Sequence, residues 1–186
     1  NLSDVKNKIT YFRGQDQTST IANREGHPIG SIYGYIAEGY FQSEEEIANS
    51  PTQTGKIKPG DIKYMNMNDD DKINNDDKVV IGSTIPRYTY GLNLGAEYKG
   101  IDLSMFFQGV GKADGYLEGP GIIPFVSGGS IGGTALQAFK DYWTEDNRNA
   151  AYPRPAFNEN NNGLVSTFWL KDASYLRLKN LQIGYT

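Results

Sequence analysis

Apolar and polar residues alternate strictly from Tyr88 to Tyr98. Tyr88, Tyr90, Leu92, Leu94, Ala96 and Tyr98 share one parity, and Thr89, Gly91, Asn93, Gly95 and Glu97 take the other. A period of two predicts a β-strand with unlike faces. Lys99 and Gly100 then form a two-residue turn, with Gly where a positive φ is needed. Alternation resumes with Ile101, Leu103, Met105 and Phe107 on one face and Asp102, Ser104, Phe106 and Gln108 on the other. A two-residue turn pairs Tyr98 with Ile101, Ala96 with Leu103, Leu94 with Met105 and Leu92 with Phe107. The two apolar faces of this hairpin therefore coincide, and so do the two polar ones.

Other stretches carry weaker patterns. Leu2, Ile9 and Tyr11 give a faint strand signal over 1–12, and 13–29 reads as a polar loop. Residues 30–42 are aromatic and β-branched and predict one strand. Ser43 with Glu46 makes a capping-box pattern, which predicts a short helix to about Asn49, ended before Pro51. Ile62–Met65 and Val79–Ile81 are short apolar pieces around an acidic centre. From 111 to about 167 periodicity fades, except for a helix predicted over Thr134–Trp143 from Leu136, Phe139 and Trp143. Residues 168–186 predict a final strand. Leu176 and Leu178 share one parity there, and Leu181, Ile183 and Tyr185 the other. A β-bulge near Lys179 and Asn180 would restore them to one face.

Ten residue steps from Tyr88 to Tyr98 span roughly 33 Å, or roughly 25 Å of height at a barrel-like tilt. That matches the apolar band of an outer-membrane barrel with tyrosines at its margins. A half-buried hairpin of a soluble sandwich alternates in the same way, so the pattern alone leaves both open. The turn of two residues set against an excursion of more than fifty matches the short-turn, long-loop asymmetry of such barrels.

Composition narrows the classes. Tyr numbers 13 and Gly 22, which favours strands, turns and interfacial rings. A net charge of −4 without a basic, aromatic-interleaved patch argues against nucleic acid as a partner. The chain has no cysteine, so disulfides and thiolate metal sites are excluded. It contains no run of about 20 apolar residues, the length of a membrane-spanning helix. It starts at Asn1 and stops at Thr186 inside a strand pattern, which predicts a portion of a longer protein.

The one candidate metal site is NMNDDDKINNDD, residues 66–77. It fits a 12-residue calcium loop, with Asn66, Asn68 and Asp70 at positions 1, 3 and 5. Lys72 offers its carbonyl at position 7, Asn74 takes position 9, Asp77 takes position 12, and Ile73 is the apolar residue between. The pattern departs at position 1, which is Asn, at position 6, where Asp71 replaces Gly, and at position 12, where Asp is short for bidentate contact. Asp71 would have to take the left-handed conformation. The competing reading is a solvated acidic turn. Catalysis finds no support. His27 is the lone histidine, 108–115 lacks phosphate-loop spacing, and Asp69, Asp70 and Asp71 are too close in sequence to flank a sugar. Tyr142, Trp143, Tyr152, Phe168 and Trp169 are read first as loop packing or interface belt, and second as platforms for sugar rings.

The segments GHPIGSIYGYIAEGYFQSEEEI, PGDIKYMNMNDDDKINNDDKVVIGSTIPRYTYGLNLGAEYKGIDLSMFFQGVG, YW and FWLKDASYLRLKNLQIGYT, in this order, closely resemble the SusC/RagA family. These are TonB-dependent transporters of the outer membrane of Bacteroidetes-type bacteria. The resemblance implies an all-β fold: an antiparallel transmembrane β-barrel segment, part of a 22-stranded barrel, with long extracellular loops and short helices. Residues 1–186 would all belong to the barrel domain, with extracellular loops at about 43–86 and 111–170, and 30–42 running outward as wall. It implies import of an oligosaccharide or peptide, a SusD-like surface lipoprotein as lid, and TonB acting through an N-terminal plug. No enzyme activity and no cofactor is implied by it; Ca²⁺ in the acidic loop rests on the spacing of residues 66–77 alone. The alternative is a soluble all-β calcium- or carbohydrate-binding module.

Overall fold

A computed structural model describes residues 1–12, 21–22, 25–119, 122, 137–156 and 161–186. In chain order its strands are β1 (Leu2–Asp4), β2 (Ile21–Ala22), β3 (Ser31–Gly34), β4 (Ala37–Tyr40), β5 (Ile62–Tyr64), β6 (Val79–Ser83), β7 (Tyr88–Tyr98), β8 (Ile101–Gly111), β9 (Asp114–Tyr116), β10 (Leu170–Asp172) and β11 (Tyr175–Tyr185). One helix, α1 (Glu44–Ala48), lies between β4 and β5.

The strongest alternation builds an antiparallel wall in the order β1-β7-β8-β11. Tyr98 pairs with Ile101, Ala96 with Leu103, Leu94 with Met105 and Leu92 with Phe107, as the turn chemistry requires. Lys99 and Gly100 both have positive φ, +50° and +79°, the conformation whose twist matches the flanking strands. In β11 the register shifts between Leu178 and Asn180. Leu178 faces Phe107, and after the bulge Leu181 faces Met105 and Ile183 faces Leu103. The extra residue rephases the strand, so its leucines join the apolar face of the hairpin.

β9 and β10 pair with each other and prolong the β8–β11 ribbon beyond the wall. Ala173 N–H donates to Ala113 O at 2.8 Å across the join. From Ile101 to Tyr116 the chain covers up to roughly 50 Å, or roughly 38 Å of height at a barrel-like tilt, past an apolar band of about 25 Å. The ribbon thus lifts Trp169 into a second body, built from β3–β6 and the segments after 137. Its core gathers Tyr35, Ile62, Tyr64, Ile73 and Trp169. The hydrophobic core of the described residues lies here, not on the wall.

Three expectations change. Residues 30–42 form two strands, not one, and neither joins the wall. β3 pairs with β2 and β6, while β4 pairs with β5. Between them Tyr35 N–H bonds Val165 O at 2.8 Å, and Thr167 N–H bonds Tyr35 O at 2.9 Å. A crossing segment from 130 positions away captures the backbone there through an isolated bridge at Ser166, which periodicity cannot reveal. All four residues of β3 are buried, so this stretch is interior to the second body rather than a membrane-facing strand. The helix predicted over Thr134–Trp143 is, among the described residues, a 3₁₀ turn at Gln137–Lys140; residues 134–136 lie outside the description. It stops because Trp143 N–H bonds Tyr152 O at 2.9 Å and Tyr152 N–H bonds Asp141 O at 3.0 Å. The strand signal over 1–12 shortens to β1, and Ile9 instead exchanges backbone bonds with Gly26 and His27. The strand signal over 168–186 holds, divided into β10 and β11. α1 starts where its sequence signals place it. Ser43 Oγ accepts from Glu46 N–H at 3.1 Å, although the Glu46 carboxylate accepts from Gln42 N–H at 2.8 Å rather than from Ser43.

Candidate functional site

The apolar face of the wall is open. Leu92 is 54% exposed, Leu94 43%, Leu181 53% and Ile183 69%, and no described residue covers them. The opposite face is open too: Asn93, Ser104, Gln108 and Gln182 are exposed. A soluble sandwich buries one of its two faces beneath a second layer. Here, among the described residues, neither face has a covering layer. β11 also presents an eleven-residue edge with an apolar face, which in water would be an aggregation site. Lipid on the apolar face and further strands at the edges satisfy both demands.

Tyrosines mark the margins. Tyr98 and Tyr185 lie at the turn end, 70% and 82% exposed. Tyr88 and Tyr90 lie at the other end on the same face. The Tyr90 ring lies against Gly109, where a Cβ would come within 2.4 Å of it, and its hydroxyl donates to Tyr175 O at 3.1 Å. Ring and glycine make a cross-strand pair that only Gly permits.

Above the wall, a polar clasp that sequence reading missed holds the second body. Asp61 is fully buried and ion-paired with Arg154: Nη2 donates to Oδ2 at 2.8 Å and Nε lies 2.8 Å from Oδ1. Asn162 Nδ2 and Lys58 N–H also donate to Asp61 at 2.8 Å. Gln53 bridges Ile62 O and Asn161 Oδ1, and accepts from Tyr64 N–H at 2.7 Å. Asn162 Oδ1 accepts from Ile62 N–H at 2.9 Å. The bonds from Arg154, Asn161 and Asn162 tie Gln53, Asp61 and Ile62 to residues about 100 positions away. Burial raises the Tyr64 hydroxyl pKa, and that hydroxyl donates to Asn161 O at 2.6 Å. Burial likewise pushes Tyr116 up to about 12. Both hydroxyls stay protonated, and that of Tyr64 serves structure as a donor.

The aromatic candidates fall on the packing side. Trp143 and Trp169 are buried, and Tyr152 and Phe168 pack around the Trp169 core. Tyr142 alone of the five is substantially exposed, at 38%. His27 lies edge-on to the Tyr33 ring.

In the acidic loop, Asp70 accepts from Lys72 N–H at 2.8 Å and from Asn68 Nδ2 at 3.0 Å. Asn74 Oδ1 caps a 3₁₀ turn at Asn75–Asp77 through Asp76 N–H at 2.7 Å. Asp77 is fully buried, accepting from Met67 N–H at 2.8 Å and Asn74 N–H at 2.7 Å. Asn66 Nδ2 donates to Asp70 O, and Asn66 Oδ1 is enclosed without a donor. Ile73 enters the core, as position 8 of the loop predicts. The left-handed residue is Asp69, φ +57°, not Asp71. The sharp turn therefore falls two positions before the place a calcium loop puts it, because Asn68 and Asp70 make the local side-chain bonds that favour a turn there. Among the described residues, no cluster of three or more His, Cys, Asp or Glu could hold a metal.

No family model matches the chain. A TonB-dependent receptor of Formosa agariphila, designated P3, is 31% identical over 169 residues, which are 91% of this chain and 16% of the receptor. A second from the same organism, P26, is 27% identical over 194 residues, 99% of this chain and 19% of the receptor. The chain thus spans less than one fifth of the length of the curated relatives it matches. The solved RagAB peptide transporter superposes on the whole chain with a TM-score of 0.61 at 20% identity, over 18% of its own chain. The RagAB peptide importer in its open-open state superposes on 90% of this chain with a TM-score of 0.57 at 22% identity, over 17% of its own. At these identities the structural likeness speaks for the fold. The relatives are transport receptors and not enzymes, and they are β-barrel proteins of the outer membrane. The chain is homologous to the TonB-dependent receptors and matches part of the barrel of RagA, of the SusC/RagA family.

Proposed function

We propose that this chain supplies four strands of wall and an external loop body to a 22-stranded, TonB-dependent importer of the outer membrane. The observation that carries the reading is the apolar face of β7, β8 and β11, in register across three strands and uncovered. The Lys99-Gly100 turn faces the periplasm, and the loops at about 43–86 and 111–170 face outward. The substrate is an oligosaccharide or a peptide; the name of the RagAB peptide importer favours a peptide. A SusD-like surface lipoprotein closes over the loop body, and TonB drives release through the plug. No covalent chemistry is required. A soluble calcium- or carbohydrate-binding module is the weaker reading, because it leaves both faces of the wall without a covering layer.

The test uses cells expressing the full-length receptor, fed fluorescent oligopeptide or oligosaccharide pools with and without a protonophore. Import of one pool, lost on gene deletion and on collapse of the gradient, is expected. Uptake indifferent to both contradicts the reading.

A second reading concerns the acidic loop. We infer that residues 66–77 take up Ca²⁺ weakly, through Asn66, Asn68, Asp70, Lys72, Asn74 and Asp77. The enclosed Asn66 Oδ1 that lacks a donor favours it. Hard oxygen ligands suit this ion, and only Asp70 and Asp77 bring charge. Calorimetric titration of the full-length receptor with Ca²⁺ should give heat that the Asp70→Asn, Asp77→Asn variant loses. Absence of heat in the wild type ends this reading.

A further inference from the structure

At the end of the wall remote from the Lys99-Gly100 turn, a cleft of 410 Å³ opens between the wall and the β3–β6 sheet. Its size suits a small ligand. Four cations line it: Lys6, Lys8, Arg87 and Lys112. Two carboxylates stand near. Asp4 is engaged by Arg87, Nε to Oδ1 at 2.9 Å, and Lys6 and Lys112 both lie within its electrostatic reach. Asp114 accepts from Ser83 N–H at 2.9 Å. Lys6, Lys8 and Lys112 have no salt-bridge partner among the described residues and are exposed. A chain with a net charge of −4 thus gathers an excess of positive charge in one concave place. Such a cleft concentrates anions.

The backbone along one side of the cleft is also tied to the wall. Val5 N–H bonds Arg87 O at 2.9 Å and Arg87 N–H bonds Lys112 O at 3.2 Å, so the wall's ladder continues into the cleft. Lys6 and Lys8 follow β1, Arg87 immediately precedes β7 and Lys112 immediately follows β8, so the four cations gather where the strands end. Val5, Val80 and Ile85 give an aliphatic lining, and none of the lining residues is aromatic. A sugar ring would find no aromatic face to stack on, whereas an aliphatic side chain next to a carboxylate finds both its partners.

We propose that this cleft binds the carboxylate end of a short peptide, with the lysines meeting the carboxylate and Val5, Val80 and Ile85 meeting an aliphatic side chain. The proposal deepens the importer reading, naming the group by which its substrate is held, and rests on that reading only for the word substrate. Calorimetric titration of the full-length receptor in detergent tests it, with leucyl-glutamate, leucyl-glutamine amide (which keeps the amino terminus but has no carboxylate) and a glucuronate-containing disaccharide as probes. Leucyl-glutamate is expected to bind, and to lose about tenfold in affinity both on amidation and in the Lys6→Gln, Lys8→Gln double variant, as befits lost charge-assisted bonds. Lys112→Gln weakens it in the same direction, and Lys99→Gln, at the far turn, leaves it unchanged. Lys6 and Lys8 are exposed, and Lys112 makes only an exposed contact over the Tyr88 ring at 5.8 Å, so the variants are expected to assemble normally. No dipeptide binding, equal binding of the amide, unchanged affinity in the lysine variants, or lysine-dependent binding of the acidic disaccharide without the dipeptide each overturns it. Uptake is read separately. A dipeptide that binds through the lysines but is not imported sinks the importer reading and leaves the cleft standing. Import of neutral peptides without cleft binding does the reverse.

Discussion

Removal of Arg154 tests how the loop body is held above the wall. Arg154→Met strips one hydrogen bond and the paired positive charge, both at 2.8 Å, from a carboxylate with no solvent exposure. Asp61 then keeps only Asn162 Nδ2 and Lys58 N–H. Breaking a buried pair by removing one partner costs about 3–5 kcal/mol. The Arg154 side chain is itself 16% exposed, so water reaches its partner's side and the lower end, about 3 kcal/mol, applies. Spent on local opening, that raises amide exchange about a hundredfold. Hydrogen exchange of the full-length receptor in detergent, read by mass spectrometry, should show it in peptides over 60–65 and 161–169. Peptides over 88–111 should not change, because the wall shares no bond with the clasp. Adding Asp61→Asn should recover part of the protection, since no unpaired charge then stays buried. Unchanged exchange at 60–65, or equal acceleration in the wall, refutes the reasoning.

Other outcomes follow from single residues. Leu94→Arg, near the middle of β7 on the apolar face, should destabilise the barrel by about 2–4 kcal/mol. Asn93→Arg, its neighbour on the polar face, should fall within about 0.5 kcal/mol; heat-modifiable gel mobility separates the two. Gly60 has φ +89°, and a Cβ there would lie 2.4 Å from the Trp143 ring. Gly60→Ala should cost about 1–3 kcal/mol of local stability and red-shift Trp emission as Trp143 leaves its buried site. The Glu46 carboxyl is held below its ordinary 4.5 by the Gln42 N–H first and by Lys63 second. A lowered folded value means that its contribution is full above about pH 4.5 and fades as pH falls through the lower, folded value. The Gln42 amide resonance should therefore titrate below pH 4.5, and Glu46→Gln should abolish that titration.

The wall was legible because its determinants are local. A period of two, a Lys-Gly turn and a one-residue slip at Lys179-Asn180 suffice to fix every pairing of β7, β8 and β11. The loop body was not. Asn161 and Asn162 read as polar loop, yet both are buried, and their partners Gln53, Asp61 and Ile62 lie about 100 positions upstream. Nothing in an Asn-rich run distinguishes a solvated loop from a clasp. The break at Tyr35 has the same origin: the backbone at 165–167 sits so close that a Cβ on Gly34 would lie 2.5 Å from Val165 O. The calcium pattern was visible as spacing, but spacing could not tell that Asn68 and Asp70 would place the left-handed residue at Asp69. The basic cleft escaped notice because Lys6, Lys8, Arg87 and Lys112 come from three separate stretches.

The central claim is that hydrocarbon covers the face carrying Leu92, Leu94, Met105 and Leu181. The chain has no cysteine, so single Leu94→Cys and Asn93→Cys labels are free of background from this segment. Nitroxides at the two positions, with the full-length receptor in nanodiscs, report collision with oxygen, which enriches in lipid, and with a water-soluble nickel chelate. The account predicts oxygen collision at 94 without the chelate, and chelate collision at 93. Protection of position 94 from both reagents, or chelate access there, would contradict it.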